Sequence, residues 1–441
     1  MRILFVSLGC DKNLVDTEVM LGLLAQKGHQ MVDSEEEADV IVVNTCCFIH
    51  DAKEESIQTI IEMAEYKKNG TLKVLIVTGC LAQRYKQEIL DEIEEVDAVL
   101  GTTSYDKIVD AIEEALQGHR SLQLQDIDLL PVVESKRLVT TGGHYAYLKI
   151  AEGCDKHCTY CIIPKIRGNF RSVPMERLVK EAEELAEQGV KELILVAQET
   201  TLYGKDIYGK KSLHLLLKEL CKISGLRWIR ILYCYPEEIT DELIQVMKEE
   251  PKICHYLDLP IQHASDAVLK RMGRRTSKAQ LVAIIEKLRQ EIPDIAIRTT
   301  LITGFPGETS EQHEELLDFI NEMEFDRLGV FTYSPEEDTP AATMADQIEE
   351  SVKEDRQAEL MELQQEIAFE LAERRIGQEV LVMIEGKVAD ENAYVGRTYM
   401  DAPNVDGLIF VETDEELMSG DFVKVKVIGA LEYDLIGEII L

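Results

Sequence analysis

The stretch YAYLKIAEGCDKHCTYC, residues 145–161, decides how this chain is read. It opens as a short strand and delivers three cysteines, Cys154, Cys158 and Cys161, within eight positions. A structural zinc site closes with four protein ligands. Three thiols this close, with no evident fourth, describe a centre left open on one side. His157 is the one local candidate for a fourth ligand, and zinc on these four residues is the alternative. His157 directly abuts Cys158, which makes convergence on one ion awkward.

Upstream, residues 1 to about 118 alternate strand and helix. RILFVSLGC, ADVIVVNTC and LKVLIVTGC are strand-like runs, and KNLVDTEVMLGLLAQKG, AKEESIQTIIEMAEYKKNG and AQRYKQEILDEI are helix-like. Continuous Val/Ile/Leu strands between helices predict a parallel sheet covered on both faces. Cys10, Cys46 and Cys80 each fall at the C-terminal end of one of these strands. Ligands bind at that edge of open α/β sheets. Cys47 points to the opposite side from Cys46 in an extended chain, so one of the two is expected to ligate.

Downstream of a connector at 119–143, a second alternation runs from 144. About six strand–helix units predict an open or partial TIM-like barrel, its last helix entered through a capping box at Thr309 and Gln312. A long charged helix follows as a tether, to 376. Residues 377–441 change to short alternating strands, the pattern of a small antiparallel barrel of OB-like size. The fold class is thus multidomain α/β.

The chain has 441 residues, 47 basic and 83 acidic side chains, and a formal net charge of −36. Such a surface is a poor partner for a phosphate backbone. No apolar run reaches the roughly 18 residues of a membrane span. The opening MRILFVSLGC reads on into a helix, not as a signal peptide. The expected location is the cytoplasm, where ten cysteines stay reduced and act as metal ligands, nucleophiles or small core residues.

A cluster of four irons and four sulfides takes one ligand per iron, so three cysteines leave one iron open. The C-x3-C-x2-C spacing after a first barrel strand resembles the radical S-adenosylmethionine (SAM) superfamily. LGCDKNLVDTE, NTCCFI, TGCLAQRY, EGCDKHCTYCIIPKIRG, LDLPIQHASDAVLKRM and GFPGET, with the terminal small barrel, together resemble the radical SAM methylthiotransferases from end to end. The resemblance implies an N-terminal methylthiotransferase domain, a radical SAM barrel and a TRAM domain. It implies SAM and two 4Fe-4S clusters, an auxiliary one on Cys10, Cys46 and Cys80 and a SAM-binding one on Cys154, Cys158 and Cys161. The family's NTC falls on Asn44–Cys46, which selects Cys46 over Cys47. Candidate SAM contacts are Tyr160, Arg171, Gln198, Glu199, Gln262 and Gly304, each also readable as a turn, cap or ion-pair residue. Cys221, Cys234 and Cys254 read as core, and His263 as a structural hydrogen bond.

Methylthiotransferases divide chiefly into enzymes acting on a tRNA adenosine and enzymes acting on an aspartate of a ribosomal protein. From 378 to 441 there are four basic and fourteen acidic side chains, a net charge of −10. So acidic a module should repel tRNA and attract a basic protein. LVAQETTLYG and NTCCFI also look more like the ribosomal-protein branch. The expected substrate is therefore the β-carbon of an aspartate in the small-subunit ribosomal protein S-twelve, free or assembled, served by an electron donor and a sulfur source. The alternatives are the tRNA enzyme and a non-catalytic iron–sulfur carrier. A basic run, Lys270, Arg271, Arg274, Arg275 and Lys278, is either a solvated face or a contact for RNA or a substrate carboxylate.

Overall fold

The computed structural model describes residues 1–70, 72–133, 136–389 and 391–440. Asp390, one of the acids counted above, and residues 134 and 135 of the connector lie outside the described residues.

The N-terminal strands are β1 (Arg2–Ser7), β2 (Gln30–Met31), β3 (Val40–Thr45), β4 (Val74–Gly79), β5 (Ala98–Leu100) and β6 (Ser121–Gln123). They form one parallel sheet in the order β2-β1-β3-β4-β5-β6. Every residue of β3 and β4 is buried, as their unbroken apolar runs require. Helices α1 (Asp11–Gln26) and α5 (Ile108–Leu116) cover one face, packing Met20, Leu24 and Ile112 on Val40, Val42 and Ile76. Helices α2 (His50–Lys68), α3 (Cys80–Tyr85) and α4 (Gln87–Glu92) cover the other, with Ile60, Leu81 and Ile89 against Ile41, Val43 and Val77.

The second sheet comprises β7 (Tyr145–Lys149), β10 (Glu192–Val196), β11 (Trp228–Ile231), β12 (Ile253–Asp258), β13 (Ala296–Thr303) and β14 (Arg327–Thr332), with the short pair β8 (Ala151–Glu152) and β9 (Arg171–Ser172) beside it. Its order is β14-β13-β12-β11-β10-β7, all parallel, and β7 and β14 remain edges. The expected open barrel is present. The capping box at Thr309 and Gln312 is formed, as is a second at Ser277 and Gln280. The tether helix Glu350–Glu373 lies on the β14 edge, where Gln357 donates to the Val330 carbonyl at 2.7 Å and Leu360 enters the core.

The terminal strands β15 (Glu379–Lys387), β16 (Ala393–Arg397), β17 (Ile409–Glu412), β18 (Phe422–Ala430) and β19 (Leu435–Ile439) close into a barrel. Four of its pairings are antiparallel, as expected, and β17 with β19 is parallel. This barrel sits where the strands of the large sheet begin. Trp228 meets Phe422 edge-to-face at 4.8 Å, Arg397 reaches Glu192 at 2.7 Å, and Arg298 reaches Asp406 at 3.3 Å. The N-terminal domain sits at the opposite, C-terminal ends. There Lys149, the last residue of β7, pairs with Asp16, and Arg84 pairs with Glu336 at 3.1 Å.

Candidate cluster-binding site

The first cysteine triad follows from strand order. Strands β1, β3 and β4 are neighbours in register, Ser7 against Asn44 and Asn44 against Thr78. Their chains therefore turn off one rim and set Cys10, Cys46 and Cys80 side by side. Close approach there demands glycine. A Cβ on Gly9 would stand 2.8 Å from Cys46 Cβ, and one on Gly79 would stand 2.3 Å from Asn44 Oδ1 and 2.5 Å from the Thr45 carbonyl. Both glycines have positive φ, +88° and +92°, open to glycine at little cost.

Polar side chains lock these loops. Asn13 donates to the Leu8 and Thr45 carbonyls at 3.1 and 2.9 Å, and Asn44 donates to the Asn13 carbonyl at 2.8 Å. Ser56 accepts from Cys46 N at 3.0 Å and donates to the Cys46 carbonyl at 2.8 Å. Cys10 and Cys80 stand at the start of α1 and α3. Burial pushes the Cys46 and Cys80 thiols up. Metal binding to these thiols therefore expels protons. Cys47 is fully buried in the layer under α2, and burial pushes its thiol up to about 12, with Arg84 pulling it back.

The second triad leaves β8. Gly153, at φ +77°, lets the chain pass within 2.1 Å of the Asn169 carbonyl, measured from where a Cβ would stand. Cys154 N then donates to the Gly168 carbonyl at 3.1 Å and Cys161 N to the Cys158 carbonyl at 3.0 Å. Burial pushes Cys154 up to about 11 and Cys161 higher, with the neighbouring thiols adding to the shift. His157 has φ +52° and is exposed, so no fourth ligand is in place. Among the described residues no three His, Cys, Asp or Glu side chains converge on a point one ion would fill. Two sets of three neighbouring thiols, neither with a fourth protein donor, suit a four-iron cluster with one iron left open.

The remaining candidates divide. Glu199 is fully buried beside Cys154, its Oε1 taking a hydrogen bond from Thr201 at 2.6 Å and its Oε2 taking none. Burial pushes it up to about 7, with Lys156, 3.4 Å away, pulling it back. Its Oε2, which accepts no hydrogen bond and faces the Lys156 ammonium at 3.4 Å, is the candidate acceptor for an incoming ammonium. Gln198 instead braces the triad loop, accepting from Gly153 N at 2.8 Å and donating to Glu152 at 2.7 Å. Gln262 has φ +72° and bridges β13 through its backbone, leaving no side-chain bond. Gly304 opens a loop held by Glu308, which accepts from Gly304 N at 2.7 Å and Phe305 N at 3.1 Å. Tyr160 packs against Phe305 and Tyr333. Arg171 turns to the connector, with Asp128 at 3.3 Å and the Asn169 carbonyl at 2.6 Å. His263 accepts from Ser265 N at 2.9 Å, and burial holds its ring neutral, with a pKa of about 3. The run 270–278 is split: Lys270 and Arg275 are exposed, while Arg274 is buried over the Tyr235 ring at 4.5 Å.

Sequence reasoning missed what joins the triads. Arg167, 2 % exposed on α6 (Ile163–Arg167), binds Asp16 at 2.8 Å, Glu152 at 3.2 Å and Asn13 Oδ1. Asn13 Oδ1 also accepts from the Cys80 thiol at 3.7 Å, and Glu152 continues through Gln198 to Gly153. A buried polar path thus runs from one triad to the other. Lys12 was missed too. Its ammonium lies 3.2 Å from the Tyr233 ring centroid, and Cys10, Tyr233 and Asp11 outweigh the effect of burial to keep it charged.

Three family models match the chain: the uncharacterized protein family UPF0004 over residues 2–101, the radical SAM superfamily over 148–320 and the TRAM domain over 376–440. The ribosomal protein uS12 methylthiotransferase RimO of Lachnoclostridium phytofermentans is 68% identical over 437 residues, covering 99% of each chain. The chain belongs to the RimO family. RimO of Clostridioides difficile is 51% identical over 440 residues, covering 100% of this chain and 99% of its own. RimO-family membership makes the chain a radical SAM methylthiotransferase, an enzyme of SAM and two 4Fe-4S clusters. The fold recurs in the radical SAM methyltransferase TsrM of Kitasatospora setae, solved with tryptophan and a SAM analogue. Its TM-score is 0.55 at 14% identity, covering 88% of this chain and 79% of TsrM.

Proposed function

We propose that this enzyme places a methylthio group on the β-carbon of an aspartate in ribosomal protein uS12. The observation that carries the proposal is the pairing of two open three-thiol rims across one barrel mouth, in a chain 68% identical to a uS12 methylthiotransferase. Cys154, Cys158 and Cys161 would hold the SAM-binding cluster, and Cys10, Cys46 and Cys80 the auxiliary one. When bound, these groups supply carbon–hydrogen activation at the first rim and a sulfur carrier at the second.

The chain's own residues orient and enclose. Glu199 meets the SAM ammonium with Oε2, which it shares with Lys156, and the Gly304 loop, Gln262 and Tyr160 line the strand ends beside it. Gln198 acts one step back, holding the loop that carries Cys154. Arg171 is committed to Asp128, and Arg274, buried beside Tyr160 without a carboxylate, is the better partner for the SAM carboxylate. The N-terminal domain roofs the mouth and keeps water from the reacting carbon.

The acidity of the terminal barrel supports a basic partner less directly than composition implies. Glu385, Asp401 and Asp406 are spent on Arg397, Arg327 and Arg298 inside the molecule. The whole-chain charge of −36 still disfavours tRNA and favours a basic ribosomal protein. Turnover would draw on an electron donor and a sulfur source, and a ribosomal substrate supports a cytoplasmic enzyme. The test supplies reconstituted enzyme, SAM, reductant and sulfide with either uS12 or tRNA. A methylthio mass gain on a uS12 aspartate peptide is expected; a gain on tRNA adenosine alone overturns the proposal.

A further inference from the structure

Buried cations in this protein follow one rule with two exceptions. Among the described residues every other buried lysine or arginine has a carboxylate within 4.0 Å: Arg167 has Asp16, Arg230 has Glu192, Arg356 has Glu308 and Lys156 has Glu199. Lys12 and Arg274 have none, in a chain with 83 acidic side chains to choose from. Each stands beside one cysteine triad. Arg274 is accounted for above by SAM.

Lys12 is 6 % exposed, two residues past Cys10, at the seam where α1 meets the ends of the barrel strands. Its ammonium rests on the Tyr233 ring, which follows β11 at φ +59°, a conformation a tyrosine adopts only when its surroundings impose it. Tyr233 N donates to Asp258 at 2.9 Å and its hydroxyl to Asp11 Oδ1 at 3.2 Å, so the ring is fixed on three sides. Asp11 Oδ2, next to Lys12, is buried without a donor. Stripping an ammonium of water is costly, and an aromatic face returns only part of that cost. A cation with no carboxylate in contact and a carboxylate oxygen with no donor thus lie together beside the Cys10 triad.

We propose that Lys12 is the anchor for the side-chain carboxylate of the substrate aspartate, with Asp11 Oδ2 receiving a main-chain N–H of the same segment. This rests on the functional reading above and deepens it. The reacting carbon of an aspartate is bonded directly to its carboxylate, so whatever holds the carboxylate aims the carbon. In an enzyme with a net charge of −36, a shielded ammonium at a fixed position supplies that carboxylate with both attraction and register. Asparagine at the target has the same shape and no charge, and the site rejects it because the ammonium then stays buried and unpaired.

The test uses anaerobically reconstituted holoenzyme as wild type, Lys12→Met and Lys12→Arg, with recombinant uS12 and its target Asp→Asn variant. Binding is read by titration, and the potential of the auxiliary cluster by electron paramagnetic resonance. Wild type is expected to bind the aspartate form at least tenfold tighter than the asparagine form. Lys12→Met is expected to bind both at the weaker level, with Lys12→Arg intermediate and iron content unchanged in both. A Lys12→Met enzyme that keeps the tenfold preference overturns the assignment. So does one in which only the cluster potential moves, since Lys12 then serves the cluster alone. A wild type that neither binds nor modifies uS12 overturns the functional reading itself, a result distinct from either.

Discussion

Replacing Arg167 by Met removes one of two cations from a buried quartet. Asp16 and Glu152 are each held by both Arg167 and Lys149, all four side chains being 10 % exposed or less. Removing one partner of a buried pair costs about 3–5 kcal/mol, and Lys149 remains to share the two carboxylates, so about 3 kcal/mol is expected. Methionine fills most of the volume, so a cavity adds little. Lys149 and Arg167 overcome burial to hold the Glu152 carboxyl at about 2. Its folded pKa therefore lies below its unfolded one, and the stability it contributes is present above about pH 4.3 and lost as pH falls toward 2. Arg167→Met weakens that hold, so the loss begins at higher pH. The decisive comparison is the double variant. Glu152→Gln alone destabilises, but in the Arg167→Met background it restores one cation to one anion and should recover at least about 1 kcal/mol. The assay is urea unfolding of the reduced apoprotein at pH 7 and pH 4.5, followed by circular dichroism. A loss below about 1 kcal/mol for Arg167→Met, or Glu152→Gln costing the same in both backgrounds, refutes the charge reasoning.

Further outcomes follow from the same geometry. Alanine at Cys10, Cys46 or Cys80 should halve the bound iron and leave SAM cleavage intact, whereas alanine at Cys154, Cys158 or Cys161 should abolish cleavage; Cys47→Ala should keep both clusters, as iron analysis and 5′-deoxyadenosine release will show. Gly79→Ala forces a methyl to 2.3 Å from Asn44 Oδ1 at φ +92° and should cost about 3 kcal/mol, with loss of the auxiliary cluster on purification. Glu199, pushed up to about 7, loses its charge below that pH, so SAM affinity should fall from pH 8 to pH 6, and Glu199→Gln should flatten the profile measured by equilibrium binding.

Much of this was legible in residues. Hydrophobic runs such as VIVVNT and VLIVTG specify buried parallel strands, and the cysteines that follow them are placed on one rim by strand adjacency. The Cys154 triad is local in sequence, so its spacing survives folding unchanged. What could not be read are pairings made across domains. Arg167 sits four residues before Arg171 in the same basic stretch, and only tertiary packing decides that Arg167 turns inward to Asp16 while Arg171 turns out to Asp128. Lys12 looks like one more solvated lysine on an amphipathic helix until Tyr233, more than two hundred residues away, covers it. The charge of the terminal barrel misled in part for the same reason: composition counts Asp401 and Asp406, but not the arginines they face.

The central claim, that each triad holds an open four-iron cluster across one mouth, is tested most directly by anomalous diffraction at the iron edge from crystals of the reconstituted enzyme. Two compact iron peaks are expected, one against Cys10, Cys46 and Cys80 and one against Cys154, Cys158 and Cys161, each with one iron lacking a protein ligand. A single peak, a zinc edge at the second triad with His157 drawn in, or ligation by Cys47 would contradict it.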